Sequence, residues 1–383
     1  MITIRKIMIQ TLCSLLFLNG IGQESKRIHI GTEYIIKSKV LNEDRAYIVG
    51  LPASYDSTKN SYPVMVITDG DYRFVYSSGI MEFLSKQNKI PETILVAIKN
   101  IDRNRDLIPT HLDSHSASGG GGNFLDFIEK ELLPEIDSKY RTNKYRVLTG
   151  HSFGGLFSGF AYLNNSSFSG YVATDPAFAW DSQYIVNEIS QEKIEPIKDK
   201  RIYISSADNY ARNKKGVTMM RNSQELFFSK LKNSGVSHSN VKLQYFENEN
   251  HGTSAYISAY YGFLFVFENF MPENIYNKSA AEISEHYKEL SNKTDCIFLP
   301  PDHLIRKIAD YNYKTKKDAY AAIELLKMNA SNYPLSINYE KLGDLFKSIS
   351  NHEEALFYYE LSLDLNSNDS KKIMKKIEEI RNK

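Results

Sequence analysis

Gly150-His151-Ser152-Phe153-Gly154-Gly155 sets one hydroxyl among small residues in the order G-x-S-x-G. Such a spacing serves nucleophilic attack by the serine oxygen. A strand that turns sharply into a helix pushes the side chain at its apex clear of the backbone, where a base can reach it. The flanks agree: Tyr145–Thr149 reads as a short buried strand and Leu156–Leu163 as an apolar helix. The apex serine takes a strained conformation, so Gly150 and Gly154 let strand and helix approach while Gly155 relieves the first helical turn.

A serine hydroxyl needs an imidazole within hydrogen-bond reach, and the imidazole needs a carboxylate to orient it. In a strand–elbow–helix frame these partners follow the serine as acid, then histidine. Of nine histidines, His238, His251, His286, His303 and His352 come after Ser152. His251 is the expected base, because Glu247–Thr253 links the last strand to an aromatic-rich helix; His238 lies in a polar turn and the other three lie in a helical tail. Asp208, just past Ile202–Ala207, is the expected acid, with Asp175, Glu247 and Glu249 as alternatives. His151 is given a packing or hydrogen-bonding role, since neighbouring elbow positions point apart. The amides of Phe153 and Asp71 are expected to hold the oxyanion, with Gly70 permitting a tight turn after Thr68-Asp69. Tyr72, Arg103, Arg105, His111 and Trp180 are candidate substrate contacts. His111-x-x-x-His115 lies in a Pro- and Gly-rich loop without a third ligand, so no metal is expected. Ser118–Gly122 lacks the Gly-Lys-Ser/Thr of a phosphate loop, and no cofactor is expected.

The elements that must position these groups are legible as a pattern. Ile28–Val40 and Arg45–Leu51 alternate and flank a turn, which predicts an entry hairpin. Continuous apolar runs at Val64–Ile67, Ile94–Ile98, Arg146–Leu148, Gly170–Ala173, Ile202–Ile204 and Val241–Phe246 suit strands covered on both faces. Helical stretches at Phe74–Gln87, Asn123–Lys139, Leu156–Leu163, Met219–Ser234 and Thr253–Phe270 separate them. The expectation is an α/β fold, a mixed and mostly parallel sheet with helices on both faces, and ligands at the carboxyl ends of the strands. Residues 276–383 change character, being rich in Lys, Glu, Asn and Tyr, and read as a small all-α region. Tyr339, Leu342, Gly343, Phe346, Ala355 and Tyr359 follow tetratricopeptide spacing, with Ala321 and Leu325 in register 34 residues earlier. That pattern allows a protein partner or self-association through the tail.

Residues 1–22 carry Arg5 and Lys6 before an apolar run, Ile7–Leu18, and small residues before Gln23, the pattern of a secretory signal. The run is shorter than the roughly 20 residues a membrane span requires. Periplasmic or secreted residence is expected, with the main domain over 23–275. Loss of Arg5 and Lys6 takes the formal charge from +1 to −1, so no basic excess points to nucleic acid. Cys296 would then stand alone, without an internal disulfide.

Ser38-x-x-Leu41 with Arg45, Leu51-Pro52-x-x-Tyr55, Tyr62-Pro63-Val64 leading to Asp69-Gly70-Asp71, Arg103-x-Arg105-Asp106-x-x-Pro109, and Phe124–Tyr140 before the elbow resemble the Putative esterase family of α/β-hydrolases. That family includes siderophore esterases, feruloyl esterases, formylglutathione hydrolases and mycolyltransferases. The resemblance spans about residues 30–270. It implies cleavage of a small-molecule ester, with Ser152 as nucleophile, His251 as base, and Asp208 near the family's acid position. A scaffolding protein with an inactive hydrolase domain, or an acyltransferase, are the other classes the same residues allow.

Overall fold

The computed structural model describes residues 30–208, 214–365 and 370–382. The signal expected over 1–22 lies outside them. Eight strands form one sheet in the order β1-β2-β4-β3-β5-β6-β7-β8. β1 (Thr32–Ser38) and β2 (Glu43–Gly50) make the entry hairpin, and β2 pairs antiparallel with β4 (Ile94–Ile98). The remaining neighbours, β3 (Tyr62–Ile67), β5 (Thr142–His151), β6 (Gly170–Thr174), β7 (Arg201–Ala207) and β8 (Val241–Phe246), run parallel.

Both faces of the central strands are covered, which is why their sequences are apolar without a break. Alternate residues go to opposite sides: Val64 and Val66 join one core, Met65 and Ile67 the other. The second core packs against α1 (Gly70–Lys86) and the aromatic helix Ser254–Val266, through Phe74, Ile80, Ala259 and Phe263. The first is closed by the segment Gly121–Lys139 and the elbow helix Phe153–Leu163, through Phe127, Ile136, Leu156 and Phe157.

The helices match the sequence pattern except at their ends. α1 starts at Gly70, four residues before the expected Phe74, because only Thr68 and Asp69 separate it from β3, with Asp69 in the left-handed region at φ 57. Gly70 does not take positive φ there. A Cβ on it would lie 2.8 Å from the Ile98 carbonyl oxygen, so it is needed for close approach to β4. Three further helices among the described residues, Gln191–Ile194 being one, carry too little periodicity to be read from the sequence. Arg103–Leu107 is started by the Asp102 carboxylate, which accepts from the amides of Asn104 and Arg105, and Trp180–Asn187 follows β6.

The region after 275 is all-helical: Ala280–Thr294, Asp302–Lys314, Ala319–Asn332, Ser336–Ser348, His352–Leu365 and Ser370–Arg381. It does not stand apart from the sheet. Ile283, Tyr287 and Phe298 extend the same core that holds Tyr145 and Phe270, with the rings of Tyr145 and Phe298 5.4 Å apart and those of Phe270 and Tyr287 5.6 Å apart.

Candidate active site

The elbow is built by contact and strain together. Ser152 sits at φ 60 and ψ −114, and its amide donates to the Thr174 carbonyl at 3.1 Å, pinning the turn to β6. A Cβ at position 150 would lie 2.0 Å from the Gly154 carbonyl oxygen, so only glycine closes this turn. At Gly154 a Cβ would lie 2.4 Å from Thr68 Oγ1, which places the loop after β3 against the first turn of the elbow helix. Phe153 and Asp71 thus lie in the first turns of two helices, where amide hydrogens have no intrahelical acceptor.

His251 is brought to the elbow. Its ring centroid is 4.4 Å from that of His151, and its backbone carbonyl accepts from His151 Nε2 at 2.7 Å and from Ser254 Oγ at 3.1 Å. Its Nδ1 lies 2.6 Å from Oδ2 of Asp175. Asp175 is 1% exposed and adopts φ 40 directly after β6. Its Oδ1 accepts from the Ala207 amide at 3.1 Å and from Gln224 Nε2 at 3.0 Å. Burial pushes the Asp175 carboxyl up, but the bonds from His251 and the Ala207 amide outweigh it, and the pKa is held below the ordinary carboxylate value.

The carboxylate found 2.6 Å from His251 Nδ1 is that of Asp175, named above as an alternative, while Asp208, the expected acid, follows β7. The reason is strand order. β6 is the neighbour of the nucleophile strand β5, whereas β7 lies one strand farther out, about 4.8 Å. The Asp208 amide donates to the carbonyls of Phe246 and Glu249, tying the ends of β7 and β8 together.

Arg103 is at the site but already engaged. Its Nε and Nη2 donate to the Asp69 carboxylate at 2.7 and 3.2 Å, Nη2 also donates to the His151 carbonyl at 3.1 Å, and its guanidinium lies 5.5 Å from the Phe153 ring centroid. One side chain therefore links the ends of β3 and β5. Asn100 adds a bond to Asp69 at 2.7 Å, and its amide donates to the Asp71 carboxylate at 3.0 Å. Trp180 meets Phe153 edge-on at 5.3 Å and His115 at 4.8 Å, and its indole N–H donates to Thr110 Oγ1 at 3.0 Å, making an aromatic wall next to the nucleophile. Tyr72 is 74% exposed at the rim.

Two expected contacts are spent elsewhere. Arg105 is held by Glu43 and Asp106 in a network with the buried Arg45, and His111 Nδ1 bonds the Ser118 carbonyl at 3.0 Å. Sequence reasoning missed Asp69, Arg73, Tyr76, Asn100 and Gln224. Asp69 was visible only as part of a turn, and the others carry no motif.

His151 takes the hydrogen-bonding role. Burial, then the neighbouring His251 and Arg73, drive its pKa down from 6.5 to about 4, so the ring is neutral beside His251.

The family model described as "Putative esterase" matches residues 38–249. An IroE-like serine hydrolase from Shewanella oneidensis is 28% identical with a TM-score of 0.69, over 78% of this chain and 98% of that one. Among curated proteins, YbbA of Bacillus subtilis, an uncharacterized protein, is 27% identical over 36% of this chain, and the ferri-bacillibactin esterase BesA of the same organism is 38% identical over 18%. The matches span 58% and 25% of the lengths of those two proteins. With an elbow, a buried carboxylate–histidine pair and a family match over more than half its length, the chain belongs to the Putative esterase family.

Proposed function

We propose that this protein hydrolyses carboxylic esters through an acyl-enzyme, with Ser152 as nucleophile, His251 as general base and Asp175 as the orienting carboxylate. The observation that carries the reading is the 2.6 Å pairing of His251 Nδ1 with a buried Asp175 beside a serine at φ 60. Asp175 accepts the Nδ1 hydrogen, which leaves Nε2 as the basic nitrogen for the Ser152 proton. The serine oxygen adds to the ester carbonyl, and the amides of Phe153 and Asp71 face the oxyanion. The imidazolium returns its proton to the departing alcohol, and water, deprotonated by His251, releases the acid. Asp175 stays ionised throughout and favours the imidazolium.

The substrate class we favour is an aromatic or siderophore-type ester. The wall of Phe153, Trp180 and His115 supports an aromatic group, and BesA, by its name, is a ferri-bacillibactin esterase. We also infer export, on the basic and apolar pattern of residues 1–22, and read the tail as tetratricopeptide-like hairpins serving first as a brace.

A fluorophosphonate probe combined with a panel of p-nitrophenyl, feruloyl and catecholate esters tests the mechanism. Wild type should be labelled and active, and Ser152→Ala neither. Asp175→Asn should lower kcat by about 10⁴ with KM nearly constant, while Asp208→Asn stays within about tenfold. Equal labelling of Ser152→Ala, or the larger loss in Asp208→Asn, sinks the assignment. Product analysis with an added alcohol separates hydrolysis from acyl transfer.

A further inference from the structure

A cleft of about 230 Å³ opens beside the elbow, between the first turn of α1 and the start of the helix Ser254–Val266, and is lined by two guanidinium groups and one carboxylate. Arg103 and Asp69 cancel each other in their two-point pair. Arg73 is different. It is 1% exposed and its partners are neutral: Nε donates to the Tyr76 hydroxyl at 2.7 Å and Nη2 to Thr149 Oγ1 at 3.3 Å, while Nη1 has no hydrogen-bond partner among the described residues. A buried charge without a counter-ion is strongly unfavourable, and an anion brought to the cleft would relieve that cost.

The remaining lining groups point the same way. Tyr76 accepts from Arg73, so its own O–H is left to donate, and no acceptor for it is found among the described residues. His151 is neutral, and Tyr72, Asn100 and Ala255 complete the lining, so at neutral pH the cleft carries a single net positive charge. Tyr72 and Tyr256 stand around Tyr76 at ring distances of 6.4 and 5.9 Å and form an aromatic rim.

We propose that this cleft receives a carboxylate carried by the ester substrate, with the Tyr76 hydroxyl donating to it and Arg73 supplying the counter-charge. The inference rests on the esterase reading and names a substrate class for it. A monoanion matches the single uncompensated cation, whereas a phosphate dianion would be left half neutralised. Nη1 is closed off from water, so Arg73 acts through Tyr76 and through its field. His151 lines the cleft and is the residue before Ser152, so the cleft adjoins the elbow.

The test measures kcat/KM for matched ester pairs on a single preparation. Mono-4-nitrophenyl adipate against 4-nitrophenyl hexanoate puts the carboxylate on the acyl side. The 3-acetoxybenzoate anion against 3-acetoxybenzamide puts it on the alcohol side. Wild type should favour the anionic ester of one pair by about tenfold or more, the size expected of a charge-assisted bond. That ratio should fall to near unity in Arg73→Met and drop several-fold in Tyr76→Phe, while Arg73→Lys keeps part of it and the remote Lys327→Met keeps all of it. Taking a ratio cancels losses common to both esters, and Tyr76→Phe serves if Arg73→Met does not fold. Cleavage of both esters without preference, or a preference that survives in Arg73→Met and Tyr76→Phe, overturns this inference and leaves the esterase reading standing. Cleavage of neither, with no fluorophosphonate labelling, overturns the reading and the inference with it.

Discussion

His151 is the residue where sequence position and chemical role part company. It precedes Ser152 in the chain, yet its ring donates to the carbonyl of His251, and burial together with His251 and Arg73 keeps it neutral. The consequence for stability follows from linkage. Its folded pKa, about 4, lies below the 6.5 of the unfolded chain, so between those values the unfolded state binds the extra proton and acid favours unfolding. This one group should therefore remove up to about 3 kcal/mol of stability as the pH falls from 6.5 to 4. Urea unfolding across that window should show a shallower pH dependence in His151→Gln, whose amide can still donate to the loop. An unchanged slope would mean that the ring is not buried neutral.

At the scale of elements, what matters is which strand ends meet. The β3 loop touches the elbow helix, Arg103 ties that loop to the last residue of β5, and β6 delivers Asp175 to the histidine loop after β8. In the tail, the helices Ser336–Ser348 and His352–Leu365 close on one another at Gly343, where a Cβ would lie 2.5 Å from the Tyr359 ring. Tyr359 is buried and its hydroxyl donates to Asp344, so the ring has little room to give. Gly343→Ala should therefore be destabilising by about 2 kcal/mol despite the better helix propensity of alanine, as read by thermal or denaturant unfolding. A neutral or stabilising result would show that this helix pair is loosely packed.

For the molecule as a whole, the tail is part of the main core. Phe270 and Tyr145, behind the sheet, are covered by Tyr287 and Phe298, and Lys144 pairs with Asp295 across the same seam. A chain ending at residue 275 should expose these rings, bind a hydrophobic dye, and melt about 10 °C or more below the full chain, since a loss of several kcal/mol of burial translates into a shift of that size. An unchanged melting temperature would make the tail an appendage, not a brace.

The strand and helix alternation, the elbow, the histidine after the last strand and the helical tail are all legible along the chain. Each is a local pattern: unbroken apolar runs, glycines at forced contacts, and a polar loop between two periodic segments. Which carboxylate lies against His251 is set by packing. Asp175 and Asp208 both end strands, and it is the lateral order of β5, β6 and β7, set by crossovers hundreds of atoms long, that puts the first within 2.6 Å. The same holds for Tyr76, which reads as an ordinary helix residue, and for Arg73, which precedes the expected helix: burial and charge pairing belong to the packed molecule and to no segment of it.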